Sequence, residues 1–239
     1  MSLTVPEQFA PDEAASTSIL VIDDHELFST TLALLLRSRR LDARQLTTEG
    51  GAEGILAQIH ALPVGIALLD LYLGRDVHGR GLDSVSLIGS LSALGWTVLV
   101  LSGGQLRGNR DEVRLAAAIA AGAIGSVSKS ATLQVLLDTV LTAVAGEQVM
   151  SEQTRNEWVL RHHFHQNRQR ELDQRLARLS PREREVLNLL AQGHHAQSIA
   201  VHFVVSVTTV RAQIRAILAK LGVNSQLEAV ALANHQIKR

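Results

Sequence analysis

The hydrophobic pattern of the chain changes character once along its length. Through residue 146, short apolar runs rich in Val, Ile and Leu alternate with stretches whose apolar positions recur every three to four residues. The runs are Ser18–Asp23, Ala43–Thr47, Val64–Asp70, Trp96–Ser102 and Ile124–Ser128. Apolar residues at consecutive positions suit strands buried on both faces. The helical stretches lie at 25–39, 51–60, 82–93, 110–121 and 131–145. Five strands alternating with five helices predict an α/β fold, a doubly wound five-stranded parallel sheet with helices on both faces.

Past residue 178 only the helical period remains. Leu179-Ser180-Pro181-Arg182-Glu183 reads as a helix start, with Ser180 as cap, Pro181 at the first helical position and Glu183 completing a capping box. That helix runs through Val186, Leu187, Leu189 and Leu190 to Gly193, and a short one follows from His195 to His202. Ser206 caps a third that ends at Leu221-Gly222, and a fourth begins near Ser225 and carries Leu227, Val230 and Ala231 at helical spacing. The tight junction of the second and third predicts a helix-turn-helix inside a small all-α four-helix domain. On the third helix Val210, Ile214, Ile217 and Leu221 form the inward stripe, which leaves Thr208, Arg211, Ala212 and Arg215 on the other side. Exposed hydroxyls and arginines at a helix start suit major-groove edges and phosphates.

These boundaries divide the 239 residues into a tail over 1–17, an α/β domain over 18–146, a linker over 147–178 and the helical domain over 179–239. Ser151 can start a helix in the linker, where Trp158, His165, Leu172 and Leu179 lie seven apart, as along a seam for a partner. His162, His163 and His165 face different ways on one helix, so a solvated or packing role is favoured over a metal site.

Charge sharpens the division. The 23 basic and 23 acidic residues cancel, which for the whole chain argues against a strong basic field. Divided after residue 146, the two parts carry −5 and +5, and seven of the ten histidines fall in the second. The basic part suits phosphate, the acidic part a cation, and the two could attract each other in a salt-sensitive way. With no cysteine, disulfides, thiolate nucleophiles and Cys-based zinc sites are excluded, in keeping with a reducing, cytoplasmic setting. The tail lacks an apolar signal core. Ser84–Leu106 is uncharged and long enough to span a bilayer, but its five Ser, four Gly and break at Gly95-Trp96 predict a helix followed by a buried strand, and no membrane association.

In such sheets the reactive crevice lies beyond the carboxyl ends of the strands. Here those ends are Asp23-Asp24, Asp70, Ser102-Gly103-Gly104 and Lys129. Clustered carboxylates are best tolerated around a hard cation, and Mg²⁺ accepts carboxylate, carbonyl and water oxygens. A magnesium ion, an ammonium and a hydroxyl around one further carboxylate make a site for phosphoryl transfer.

Residues 18–145 resemble the receiver domain of two-component response regulators, a flavodoxin-like fold. The matching pieces are Val21-Ile22-Asp23-Asp24-His25, Leu69-Asp70-Leu71, Leu101-Ser102-Gly103 and Gly122-Ala123-Ile124-Gly125 leading to Lys129. The resemblance implies that Asp70 is the phospho-acceptor and that Asp23, Asp24 and Asp70 hold Mg²⁺ with the backbone carbonyl of Tyr72. It also implies that Ser102 contacts the phosphoryl group and that Lys129 pairs with it. The sequence departs from the family in four places, one of them the pair Gly103-Gly104 after Ser102, where a single small residue is typical. Leu73-Gly74 replaces the usual Met-Pro, the loop from Arg75 to Gly81 is longer, and Ser126 stands where an aromatic residue ordinarily relays phosphorylation outward.

Residues 179–234 resemble the LuxR-type DNA-binding domain of the NarL/FixJ class. The resemblance is carried by LSPREREVLNLLAQG, by Ser206-Val207-Thr208-Thr209-Val210-Arg211 and by Lys220-Leu221-Gly222-Val223. It implies that Thr209, Val210, Arg211, Gln213 and Lys220 join Thr208 and Arg215 in contacting double-stranded DNA. It further implies that the fourth helix, with Leu227, Val230 and Ala231, makes a homodimer. His195-Ala196-Gln197-Ser198 replaces the more common Ser-Asn-Lys-Glu, and Gln213 takes a position usually held by His.

The sequence therefore predicts a cytoplasmic DNA-binding response regulator, phosphorylated by a sensor histidine kinase or small phosphodonor with Mg²⁺ and not primarily an enzyme. A regulator that binds DNA without phosphorylation, gated by protein or ligand contacts, is the alternative that Ser126 motivates. A magnesium-dependent phosphohydrolase would need a second carboxylate or general acid near the acceptor; Asp70-Leu71-Tyr72 offers none two residues on.

Overall fold

A computed structural model describes residues 17–74, 79, 81–103 and 109–237. The tail expected over 1–17 lies outside the described residues except for Thr17, as do Gly104 and most of the loop from Arg75 to Gly81. The chain folds as two compact units, divided along the sequence between His162 and His163.

In the first unit the strands are β1 Ser18–Ile22, β2 Asp42–Leu46, β3 Ile66–Asp70, β4 Thr97–Ser102 and β5 Gly125–Ser128. The helices are α1 Glu26–Ser38, α2 Gly51–Ile59, α3 Ser84–Ala93, α4 Asn109–Ala120 and α5 Leu133–Val144. All pairings are parallel, in the order β2-β1-β3-β4-β5. This is the doubly wound sheet the hydrophobic pattern predicts. Successive strand side chains point to opposite faces, so each strand feeds two cores. Leu20, Ile22, Leu69 and Val100 join α2, α3 and α4 in one cluster, with Ile55, Ile88, Leu115 and Ile119. Ile19, Val21, Leu68 and Leu101 join α1 and α5 in the other, with Leu36, Leu137 and Val140. Asp83 caps α3 by accepting from the Val85 amide at 3.2 Å, and Thr132 caps α5 through the Val135 amide at 3.4 Å. The uncharged span from Ser84 is divided into α3 and β4, and no single helix among the described residues is long and apolar enough to cross a membrane.

Helix α6, Glu152–Ala177, is a single element of 26 residues begun by Ser151, whose hydroxyl accepts from the Thr154 amide at 3.1 Å. It buries no residue fully, and its sevenfold spacing serves two different cores. Trp158 packs on the cluster of α2, α3 and α4, while Leu176 and Leu179 belong to the core of the second unit.

The second unit contains α7 Pro181–Ala191, α8 Ala196–Phe203, α9 Val207–Leu221 and α10 Gln226–Ile237. The capping box on α7 is complete: the Glu183 amide donates to the Ser180 hydroxyl at 3.3 Å and the Ser180 amide to the Glu183 carboxylate at 2.7 Å. Val186, Ile199, Val210, Ile214, Ile217 and Leu221 close the core. Gly222 ends α9 at φ 66°, a left-handed conformation that glycine adopts without steric cost. Val204, between α8 and α9, is left-handed too, at φ 54°.

Candidate functional site

The acidic edge is assembled by strand ends. Asp23 follows β1, Asp70 ends β3, Ser102 ends β4 and Lys129 follows β5. Pairing of Asp70 with Leu101, and of Ser102 with Ser128, keeps these ends level. Asp23, Asp70 and Ser102 are all buried. The Lys129 ammonium lies 2.6 Å from Asp23 and 2.8 Å from Asp70, and 5.2 Å above the Phe28 ring. The Lys129 amide donates to the Ser102 carbonyl at 2.7 Å, which ties the last two strand ends together. Burial pushes the Asp70 carboxyl above its usual value of 3.8, the Lys129 hydrogen bond pulls it back, and the Asp23 carboxylate adds to the rise.

Ligand atoms of Asp23, Asp24, His25 and Asp70 all lie within 4.8 Å of one another. Three carboxylates in that space are a hard-oxygen donor set, and they fit a small divalent cation such as Mg²⁺. His25 joins the cluster unexpectedly. Its Nδ1 lies 3.1 Å from Asp24 and 3.3 Å from Asp23, and its amide donates to Asp23 at 2.9 Å. The Tyr72 amide donates to the Asp70 carboxylate at 3.3 Å, so the residue expected to lend its carbonyl sits beside the expected acceptor. Gly74 has a further role: its amide donates to Asp24 at 3.1 Å, and a Cβ there would stand 2.6 Å from the same oxygen. A proline has no such donor.

The basic unit presents the start of α9. Ser206 caps it, its hydroxyl accepting from the Thr209 amide at 3.0 Å, and Thr208, Thr209, Arg211 and Arg215 are exposed. Three of the expected DNA contacts are engaged within the unit, although Lys220 stays exposed. Val210 is fully buried, so its side chain has no access to a ligand. Gln213 is half-buried, with an Oε1 that is enclosed and without a hydrogen-bond partner. Lys220 is held 2.6 and 2.8 Å from the Glu183 carboxylate oxygens. That ion pair, with the Ser180 amide, keeps the Glu183 carboxyl below its usual value of 4.5. On α10, Leu227 and Ala231 are exposed, whereas Val230 packs partly into the core.

A doubly wound sheet with an acidic edge, and a capped helix-turn-helix with an exposed basic start, together define a DNA-binding regulator of transcription. The family described as bacterial regulatory proteins, luxR family, matches residues 177–233. The nitrate/nitrite response regulator protein NarP of Escherichia coli K12 is 27% identical over 226 residues, covering 92% of this chain and 95% of that protein. NarL of the same strain is 29% identical over 227 residues, with the same coverage. BvgA of Bordetella pertussis, a virulence factors putative positive transcription regulator, is 26% identical over 215 residues, covering 90% and 95%. Among solved structures, the RcsB response regulator of Salmonella typhimurium aligns with a TM-score of 0.49 at 19% identity, covering 91% of this chain and 99% of that one. Residues 177–233 thus carry a luxR-type regulatory domain, and over nine-tenths of its length the chain is similar to response regulators of the NarL class.

Proposed function

We propose that the chain is a phosphorylation-responsive transcription regulator whose acceptor is Asp70. The observation that carries this reading is the Lys129 ammonium, 2.6 Å from Asp23 and 2.8 Å from Asp70 at the carboxyl edge of the sheet. Asp23, Asp24 and Asp70, with the Tyr72 carbonyl, would hold Mg²⁺. Bound there, the ion supplies charge neutralisation for phosphoryl oxygens. An Asp70 carboxylate oxygen forms the new P–O bond as the donor's bond to phosphorus breaks, and the electron pair leaves with the donor. For a phosphohistidine of a sensor kinase that is a P–N bond, and the departing imidazole nitrogen takes a proton. Lys129 and the Ser102 hydroxyl face the phosphoryl group once it is attached. The protein acts as receiver and not primarily as an enzyme, in a cytoplasmic setting.

In the second unit Thr208, Thr209, Arg211 and Arg215 contact double-stranded DNA, Arg211 reading a base edge and the hydroxyls meeting phosphate or thymine methyl groups. Val210 supports them from the core, and Lys220 holds the start of α7 through Glu183. Leu227 and Ala231 form the outer face of α10 for a homodimer. Intact mass after treatment with a small phosphodonor and Mg²⁺ tests the acceptor: wild type should gain one phosphoryl group, and Asp70→Ala none. Labelling of the Asp70→Ala variant would overturn the assignment.

Ser126 favours a second reading, in which DNA binding is independent of phosphorylation. Under it, Asp70→Ala and phosphodonor treatment both leave DNA affinity unchanged.

A further inference from the structure

The family's outward relay is missing at Ser126, yet another route leads from the acceptor to the surface. The Asp70 carboxylate accepts from the Tyr72 amide at 3.3 Å. The peptide between them is held by α4 and by the start of α3. The Leu71 carbonyl accepts from Arg114 Nε at 2.8 Å and from the Ser84 hydroxyl at 2.6 Å. Arg114 also donates to that hydroxyl at 3.1 Å and lies 3.6 Å from Asp83. Its guanidinium stacks 5.0 Å from the centre of the Tyr72 ring, and the Tyr72 hydroxyl donates to Asp111 at 2.5 Å. The residues that follow Asp70 are therefore tied to α4 at two points one turn apart, Asp111 and Arg114.

The same helix and the turn after it hold the beginning of α6. Glu112 pairs with Arg161 at 3.8 Å, and Arg161 stacks 5.0 Å from the Trp158 ring centre. Arg155 donates to the carbonyls of Ala123 and Ile124, at 3.0 and 2.9 Å, and so clamps the entry to β5. Met150, Trp158 and Val159 pack on the cluster that contains Leu115, Ala118 and Ile119 of α4. At Gly125 any Cβ would stand 2.9 Å from Val149, so the chain leading into α6 lies directly on β5 beside Ser126.

We infer that α4 is the transmitter in this protein: a change at Asp70 moves Leu71–Tyr72, shifts α4 through Asp111 and Arg114, and releases the first turns of α6 from Glu112 and the Ala123–Ile124 turn. This rests on Asp70 being the phospho-acceptor. The route consists of ion pairs, hydrogen bonds and one stacked cation, with no aromatic rotation on β5. It uses residues from four elements and needs Arg114 to grip the acceptor peptide and Arg155 to grip the output helix.

Hydrogen exchange by mass spectrometry on the full chain tests it, with beryllofluoride and Mg²⁺ as the phosphoryl mimic and intact mass after phosphodonor treatment run in parallel. In wild type, amides of Glu152–Arg161 should exchange about fivefold faster once the mimic is added. Arg155→Ala should exchange fast in this segment without the mimic. Asp111→Ala should become phosphorylated to the wild-type extent while its α6 amides no longer respond. A wild type that takes the phosphoryl group but shows no change in α6 overturns the transmitter and leaves the acceptor standing. An Asp111→Ala variant that responds like wild type does the same. Failure of wild type to gain a phosphoryl group overturns both.

Discussion

Lys220 illustrates how a residue's partner decides its role. Its charge, expected at phosphate, is engaged with Glu183, a buried carboxylate that also completes a helix cap. Lys220→Ala leaves that carboxylate with Ser180 alone, and because the lysine is partly solvated the second unit should lose only about 1 kcal/mol in denaturant unfolding. The pair also makes stability depend on pH. Because the folded carboxyl titrates below its ordinary 4.5, the stabilisation is fully present above that value and is lost as pH falls through the folded pKa. Thermal unfolding between neutrality and acid should show this loss in wild type and less of it in Glu183→Gln. Val204 is a contrasting case. It is 92% exposed and left-handed, so its side chain packs on little while its Cβ crowds the backbone. Val204→Gly should stabilise by about 0.5–1 kcal/mol, the strain relieved less the added freedom of the unfolded chain. A lower urea midpoint for the variant would contradict this.

At the scale of elements, the caps fix where helices start, and with them which side chains are presented. Ser206→Ala removes the hydroxyl that accepts from Thr209 and should cost about 1 kcal/mol, fraying the turn that carries Thr208 and Arg211. Arg211→Ala should weaken binding to a specific DNA site by about 1–3 kcal/mol, with less effect on unrelated DNA. Equal loss on every sequence in competition assays would assign Arg211 to phosphate alone. The elements are legible in the sequence because each carries a local signal: period, capping residue or terminal glycine. Ser180-Pro181-Arg182-Glu183 announces α7, and Val21 through Asp24 announces a buried strand ending at a charged edge. Contacts made across the sequence leave no such trace. Arg114 meets Leu71, Arg155 meets Ile124 and Lys220 meets Glu183 over separations of 43, 31 and 37 residues. Gln213 looks like a surface residue because its neighbours Arg211 and Arg215 are exposed, yet the pitch of α9 turns it half inward. His25 is legible in the acidic motif, but only the turn into α1 brings its ring against Asp24.

Among the described residues the buried cores of the two units share no residue: two sheet clusters lie in one unit and the helical cluster in the other. A cavity in one should therefore leave the other's own packing intact. Ile199→Ala should lower the second unit's stability by about 2–5 kcal/mol. In calorimetry this should appear as a separation of two transitions, whereas a uniform shift of one transition would mean that the cores unfold together. The chemistry of each unit is readable from its charge: carboxylates and a lysine at the sheet edge, hydroxyls and arginines at the helix start. How a change at Asp70 would reach the surface is not, because the contacts around α4 are made by residues far apart in sequence. Helix α6 adds a practical consequence. It has no glycine or proline in 26 residues, is largely solvated, and carries arginines at 155, 161, 168, 170 and 175. Trypsin needs an extended segment of backbone, so helical structure shields these sites, helped at Arg155, Arg161 and Arg175 by the contacts of their side chains. The protein thus contains its own cleavage reporter: any ligand, modification or variant that frays α6 should be read directly as the rate at which the chain is cut into two fragments.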